Sequence, residues 1–334
     1  MRPHLFSLIP VVATLLAGGC RSNVEPAEAL FKNDLLKKTT GPAVVGDRIE
    51  FAYAVGTLEG DLKDVRAEAT IPGGTGTGFS RFSWYTNRNT GVDQPLQTAG
   101  DTVTTGAVST ANILDVATNK AITLRYYYYP TSEAQGKDVS FRFSGTSSTG
   151  RTVSVQSPSY RVSRMDMKRS IVLADGAKMY VSIADMTAYT KTEVEANNLA
   201  DKIDFVYVYR PTINTFAFGH ALVAPSNAGY LSDVVLPTGL AERGPTKPRT
   251  AIDKRVDVKD AQLRGTAGFD VYIDDIDLQS TTFVNAADYA YGLAVDQGAF
   301  VKTADGTFVA YVYVNAVNNT TKTLTVSIKR LKLN

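Results

Sequence analysis

The stretch Ala121–Pro130, AITLRYYYYP, decides how the N-terminal half of this 334-residue chain folds. In an extended chain successive side chains point to opposite faces. Ile122, Leu124, Tyr126 and Tyr128 therefore share one side, and Thr123, Arg125, Tyr127 and Tyr129 the other. The first set prolongs an apolar stripe, which predicts Tyr126 and Tyr128 in the core of a sheet. The second set faces outward, where Tyr127 and Tyr129 make a two-ring ladder beside Arg125. These three are candidate ligand-binding residues; the plainer reading is cross-strand packing.

The same alternation recurs on both sides of this strand. DRIEFAYAV sets Ile49, Phe51, Tyr53 and Val55 against Arg48, Glu50, Ala52 and Ala54. KDVRAEATI, DVSFRFSG and TVSVQS repeat the pattern, with Gly, Ser, Thr and Asn between the runs. Period-two alternation over so many short runs indicates antiparallel sheets with one buried face each, and predicts an immunoglobulin-like sandwich over residues 43–164. Cys20 is the single cysteine, so no intrachain disulfide is available and stability must come from apolar burial.

From about residue 165, after RVSRMDMKRS, the texture changes to longer apolar segments, and 165–334 reads as a second β-rich, sandwich-like domain with one or two short helices. Thr190-Lys191-Thr192-Glu193 has the form of a capping box, predicting a helix to about Leu199. DKIDFVYVYR is apolar on both faces, as a central strand is. Ala304-Asp305-Gly306-Thr307 marks a hairpin. The final strand, with Leu324, Val326, Ile328 and Leu331, is expected to be fully incorporated.

Residues 1–20, MRPHLFSLIPVVATLLAGGC, join Arg2, an apolar run and small residues. That pattern is an export signal; a membrane span would need about 20 apolar residues. Ala17-Gly18-Gly19-Cys20 resembles the lipobox of bacterial lipoproteins, with alanine where leucine is usual. The resemblance implies a signal peptide over 1–19, acylation of Cys20 and a lipidated tether over 20–42, placing the chain at the cell envelope on the outer membrane. No second apolar segment of spanning length follows. Losing Arg2 with the signal takes the formal charge from +2 to +1, so nothing favours nucleic acid as a partner.

YYYYPTSEAQGKDVSFRFSGTSSTGRTVSV looks like the late strands of immunoglobulin-like domains common in surface lipoproteins of Bacteroidota. Its turn, Thr146 to Gly150, lacks the acidic residues that would carry a calcium role over. KIDFVYVYR, LVAPSNAGY and the glycine-containing hairpin make the second half similar to the C-terminal domains of uncharacterised Bacteroidota lipoproteins. That resemblance implies an address and a β-rich shape, with no reaction attached.

Chemistry is sparse. With His4 in the signal, a Ser-His-Asp triad would have to use His220 with Ser226 and Asp233, and no Gly-x-Ser-x-Gly elbow is present. If FDVYIDDIDL forms a loop, Asp274, Asp275 and Asp277 can offer oxygens to Ca²⁺, with turn chemistry as the plainer reading; no other cofactor is expected. PGGTGTGFSRFSWYTNRN is the best recognition candidate, because aromatic rings stack on the C–H faces of sugars while amides and guanidinium groups bond hydroxyls. Trp84 is expected in the sandwich core, leaving Tyr85, Asn87 and Arg88 as rim candidates. The resulting reading is a non-enzymatic envelope lipoprotein that binds or presents a glycan or an envelope protein, beside an outer-membrane uptake system. The alternatives are a structural adhesin or fimbria-like subunit that exchanges a strand, with Leu324–Leu331 the place to look, and, less favoured, an envelope hydrolase.

Overall fold

The computed structural model describes residues 31–114, 120–213, 216–240, 249–265 and 271–333. The stretch expected to be a signal peptide, and Cys20, lie outside them. The fold is mainly β, and Phe31–Asn334 forms one contact unit built from two β-rich halves. In the first half, one sheet has the spatial order Phe31–Lys37, Ile49–Thr57, Ala121–Tyr128, Gly78–Thr86, Asp93–Gln97. A second sheet has the order Thr152–Gln156, Phe141–Ser147, Leu62–Ala69, Val108–Asn112, Val103–Thr105. Every pairing in both is antiparallel.

The tyrosine run divides as its period demands. Tyr126 and Tyr128 have 0% exposure, in one cluster with Phe51, Phe141 and Phe143. Tyr126 meets Phe143 edge-on with centroids 5.2 Å apart, and Tyr128 meets Phe141 likewise at 4.9 Å, the tilted geometry that ring quadrupoles favour. The Tyr128 hydroxyl donates to the Ile71 carbonyl at 3.1 Å, and burial pushes its pKa up to about 12. Two expectations fail. Phe31–Lys37, inside the stretch read as tether, is an edge strand paired with Ile49–Thr57. Trp84 is 55% exposed and belongs to no core, because Ser83 pairs with the buried Leu124 and so turns Trp84 to the outer face of the sheet.

The 15-residue strand Tyr160–Ala174 ties the halves together. Val162 lies in the first core, Met165 and Met167 in a small middle cluster, Ile171 and Leu173 in the second core. One extra residue between Lys168 and Ile171 bulges the strand, with Ser170 at φ 59°, and turns its side chains from one cluster to the next. This strand belongs to a seven-stranded sheet with Thr323–Lys332, Phe308–Asn318, Gly298–Lys302 and Ala251–Arg255, joined by Asp138–Val139 and, in parallel, Ala43–Val45. A five-stranded sheet centred on Phe205–Ile213 supplies the rest of the large second core. The capping box forms, with Thr190 Oγ1 accepting from Glu193 N at 3.2 Å and Glu193 Oε2 accepting from Thr190 N at 2.7 Å. Gly306, at φ 72°, makes the hairpin turn between Gly298–Lys302 and Phe308–Asn318.

The other face of the seven-stranded sheet is covered by the helices Ala261–Arg264 and Asp275–Ser280, through Leu263, Ile273 and Leu278. Beneath this cover the Lys329 Nζ, at 0% exposure, donates to Asp260 Oδ2 at 2.6 Å and to the Ile273 carbonyl at 2.9 Å. Asp260 also accepts from the backbone N–H of Leu263 and of Ile273, each at 2.7 Å, and so caps the short helix. Burial depresses the Lys329 pKa, opposed by Asp260. A buried charge left without its partner is costly. Lys329→Met should therefore lose about 3–5 kcal/mol of unfolding free energy in urea, whereas Lys329→Met with Asp260→Asn, which keeps a helix cap and leaves no lone charge, should lose clearly less. Equal losses would mean that the ion pair is not what couples cover to sheet.

Candidate functional site

Alternation that buries Ile49, Phe51, Tyr53 and Val55 leaves Ala52, Ala54 and Gly56 on the outer face of the first sheet. Ser83 pairs opposite Leu124, so Trp84 falls beside Thr123 on that same outer face. Ala121 and Thr123 are small, as are Ala54 and Gly56. Where small side chains neighbour a tryptophan, the sheet surface sinks next to the ring, and a groove of about 510 Å³ opens there. Trp84 and Tyr85 bound it on the hairpin side, Lys32 and Asp34 on the side of the edge strand. Trp84 stands opposite Pro95 across the hairpin, and the Tyr85 hydroxyl donates to Gln94 Oε1 at 2.9 Å, which steadies the rim.

The residues singled out from sequence separate in space. Tyr85 lies on the groove. Asn87 shapes the hairpin loop: its Oδ1 accepts from Asn89 N at 2.9 Å and its carbonyl accepts from Gly91 N at 2.8 Å. Arg88 is exposed on that loop. Arg125, Tyr127 and Tyr129 do not line the groove. They belong to a charged array further along the sheet, where Arg125 Nη1 stands 3.1 Å from Glu50 Oε1 and the Arg48 guanidinium lies 4.4 Å from the Tyr127 ring centroid. Arg125 Nη1 makes no hydrogen bond despite that approach, the angle being wrong for one. Sequence reasoning missed Ala54, Gly56, Ala121 and Thr123. The available signal was a run of small outward residues opposite an aromatic strand.

The aspartate cluster is a helix start. Asp274 Oδ1 accepts from the N–H of Ile276 at 2.9 Å and of Asp277 at 3.0 Å, and Asp277 Oδ2 accepts from Asp274 N at 3.0 Å, a capping box for Asp275–Ser280. Asp275 faces Arg164 at 4.0 Å. Asp274 Oδ1 and Asp277 Oδ2 are thus engaged by backbone donors, and among the described residues no group of three acidic, histidine or cysteine side chains is placed to hold a metal. His220 does not meet Ser226 or Asp233. Its Nδ1 accepts from the Tyr207 hydroxyl at 2.7 Å and its Nε2–H donates to Asn319 Oδ1 at 2.8 Å, while Asp233 pairs with Arg210 at 2.6 Å. Both ring nitrogens are occupied and the residue is buried, packed 4.7 Å from the Tyr209 ring.

Comparison with known proteins gives two family matches. Residues 28–162 match the family described as a domain of unknown function, DUF4466, and residues 163–333 match a second domain of unknown function, DUF8576. The chain is similar to a DUF4466 family protein from Parabacteroides merdae, a member of the Bacteroidota, with 33% identity and a TM-score of 0.79 over 91% of this chain and 99% of that one. An Actinomyces fimbrial adhesin, FimA, aligns over 92% of this chain and 97% of its own at 10% identity and a TM-score of 0.27, too low to carry an argument. No curated protein matches. Among the described residues no helix is long and apolar enough to cross a membrane.

Burial lowers the His220 pKa, against an opposing pull from Asn319. The unfolded chain, with an ordinary value of about 6.5, takes the proton first. The contribution of His220 to stability is therefore complete above about pH 6.5 and is lost as the pH falls through the lower folded-state value. Melting curves from pH 7.5 to pH 5 should show a decline that is shallower in His220→Gln; identical slopes would contradict the neutral, doubly bonded ring.

Proposed function

The chain belongs to the DUF8576 family, with a DUF4466 domain ahead of it, and from that premise we propose a non-enzymatic envelope lipoprotein that binds glycans in the Trp84 groove. The observation that carries this reading is the 55% exposure of Trp84 beside a floor of alanine and glycine. The indole contributes nothing to the core here and, with Tyr85 at 47% exposure beside it, leaves apolar surface in water that a ligand can cover. A pyranose ring offers it an apolar C–H face, while Asp34, Lys32 and Thr123 supply polar atoms for the hydroxyls. At about 510 Å³ the groove falls in the range of ordinary ligand sites, roughly 300–1,000 Å³.

Cys20 is the anchor in this proposal. Its support is the lipobox pattern, and acyl chains add about 0.8 kcal/mol per buried methylene. The outer membrane, beside an uptake system, is the place where a tethered glycan binder would work. Strand exchange of a fimbrial kind is less favoured, because Thr323–Lys332 is paired on both sides inside the seven-stranded sheet and has no free edge to offer.

Two measurements test the reading. In affinity electrophoresis against a panel of polysaccharides, the protein should be retarded by at least one of them, and Trp84→Ala should weaken that retardation by about tenfold or more with its melting curve unchanged. Retardation indifferent to Trp84 would remove the groove from the proposal. Metabolic labelling with radioactive palmitate should mark the wild-type chain but not Cys20→Ser; label in both would refute acylation at that residue.

A further inference from the structure

The two rims of the Trp84 groove stand on different strands, and strand pairing fixes how far apart they are. Across the first sheet Asp34 pairs with Ala54 and Ala54 with Thr123, Trp84 falls beside Thr123, and Trp84 pairs with Pro95. A second row next to it runs Lys32, Gly56, Ala121. Neighbouring strands lie about 4.8 Å apart, so the backbone at Trp84 and the backbone at Asp34, three steps away in the strand order, are separated by roughly 14 Å.

Between those rims the floor consists of Ala54, Thr123, Gly56 and Ala121, so no large side chain interrupts the crossing. Along the strands the way is closed. Two residues beyond Thr123 stands Arg125, held 3.1 Å from Glu50, and beyond Ala121 on the other side Lys120 pairs with Asp61 at 2.8 Å. The rims themselves differ in chemistry. Trp84 offers an indole face for stacking, whereas Asp34 gives Oδ1 to the N–H of Leu35 at 2.8 Å and keeps Oδ2 for a ligand, next to the exposed Lys32.

A pyranose ring is about as long as one strand spacing, so a single sugar stacked on Trp84 stops well short of Asp34, and about three linked rings are needed to cross. We propose that the ligand of this groove is an oligosaccharide lying across the strands: one ring rests on Trp84, the next lies over the floor of small residues, and a third is held through its hydroxyls by Asp34 and Lys32. The proposal rests on the glycan reading of the groove and adds to it the length and direction of the chain. Hydroxyl groups accept from the Lys32 ammonium and donate to the Asp34 carboxylate, so the polar rim suits a sugar that the indole does not touch.

The test is calorimetric titration of the full chain, in a detergent without a sugar headgroup, with malto-, cello-, xylo- and manno-oligosaccharides from the monosaccharide to the hexasaccharide. In at least one series affinity should rise about tenfold or more up to the tri- or tetrasaccharide and then level off. Asp34→Ala, and Ala54→Ile, which puts a β-branched residue suited to a strand midway along the floor, should each weaken the tetrasaccharide by about three- to tenfold and leave the disaccharide unchanged. Trp84→Ala should weaken both. A monosaccharide bound as tightly as the tetrasaccharide, and lost in Trp84→Ala, overturns the proposal and leaves the groove reading standing. Affinity that keeps rising to the hexasaccharide and is indifferent to Asp34 and Ala54 overturns it too, since the chain would then not cross the strands. No binding in any series also overturns it, and the glycan reading falls with it only if the polysaccharide panel fails as well.

Discussion

The Lys329–Asp260 pair is the constraint on which the arrangement of the C-terminal half depends. A fully buried ammonium and carboxylate are unfavourable unless their bonding capacity is filled. Here Asp260 receives Lys329 and two backbone N–H groups, and Lys329 also reaches a backbone carbonyl. The segment 260–278 is thereby held in one register over the seven-stranded sheet. Neighbouring polar bonds follow that placement: Tyr311 donates to the Val258 carbonyl at 2.6 Å, Asn315 to the Leu263 carbonyl at 3.0 Å, and Arg169 to the Gln262 carbonyl at 2.7 Å.

That last bond links the buried pair to the junction of the halves. Arg169 sits on the bulge of Tyr160–Ala174 and grips both the helical cover and Asp47. The same strand reaches all three apolar clusters, so the N-terminal sandwich is joined to the rest by continuous backbone and packed side chains as well as by charge. The Gln262–Asp47 bond is a product of this junction and exists in neither half alone. The Trp84 groove is the opposite case, a local property of one sheet face whose outward residues are small.

Much of the fold was legible because alternation reports burial directly. Phe51, Tyr126, Tyr128 and Phe143 each sit where period two places them, and the capping box at Thr190 and the turn at Gly306 follow from short-range hydrogen bonding and backbone freedom. Trp84 was misread because a large aromatic on an alternating strand is usually core, and which face of Gly78–Thr86 turns inward is set by its pairing with Ala121–Tyr128, far along the chain. Asp274 and Asp277 looked like oxygen ligands in a loop, yet the same carboxylates satisfy the open N–H groups of a helix start. Nothing in TVSIKRLKL marks Lys329 for burial; only the helices laid over that face take its charge fully out of water.

The sequence by itself determined the β-rich class, the core faces of the strands and the local caps and turns, because each depends on residues a few positions apart. The tertiary structure alone decided which outward faces stay in water. Trp84 keeps its exposure because no element covers it, Lys329 loses its own because two helices do, and Gln262 meets Asp47 across 215 positions of chain. Those outcomes depend on long-range packing, for which neither period nor spacing carries information.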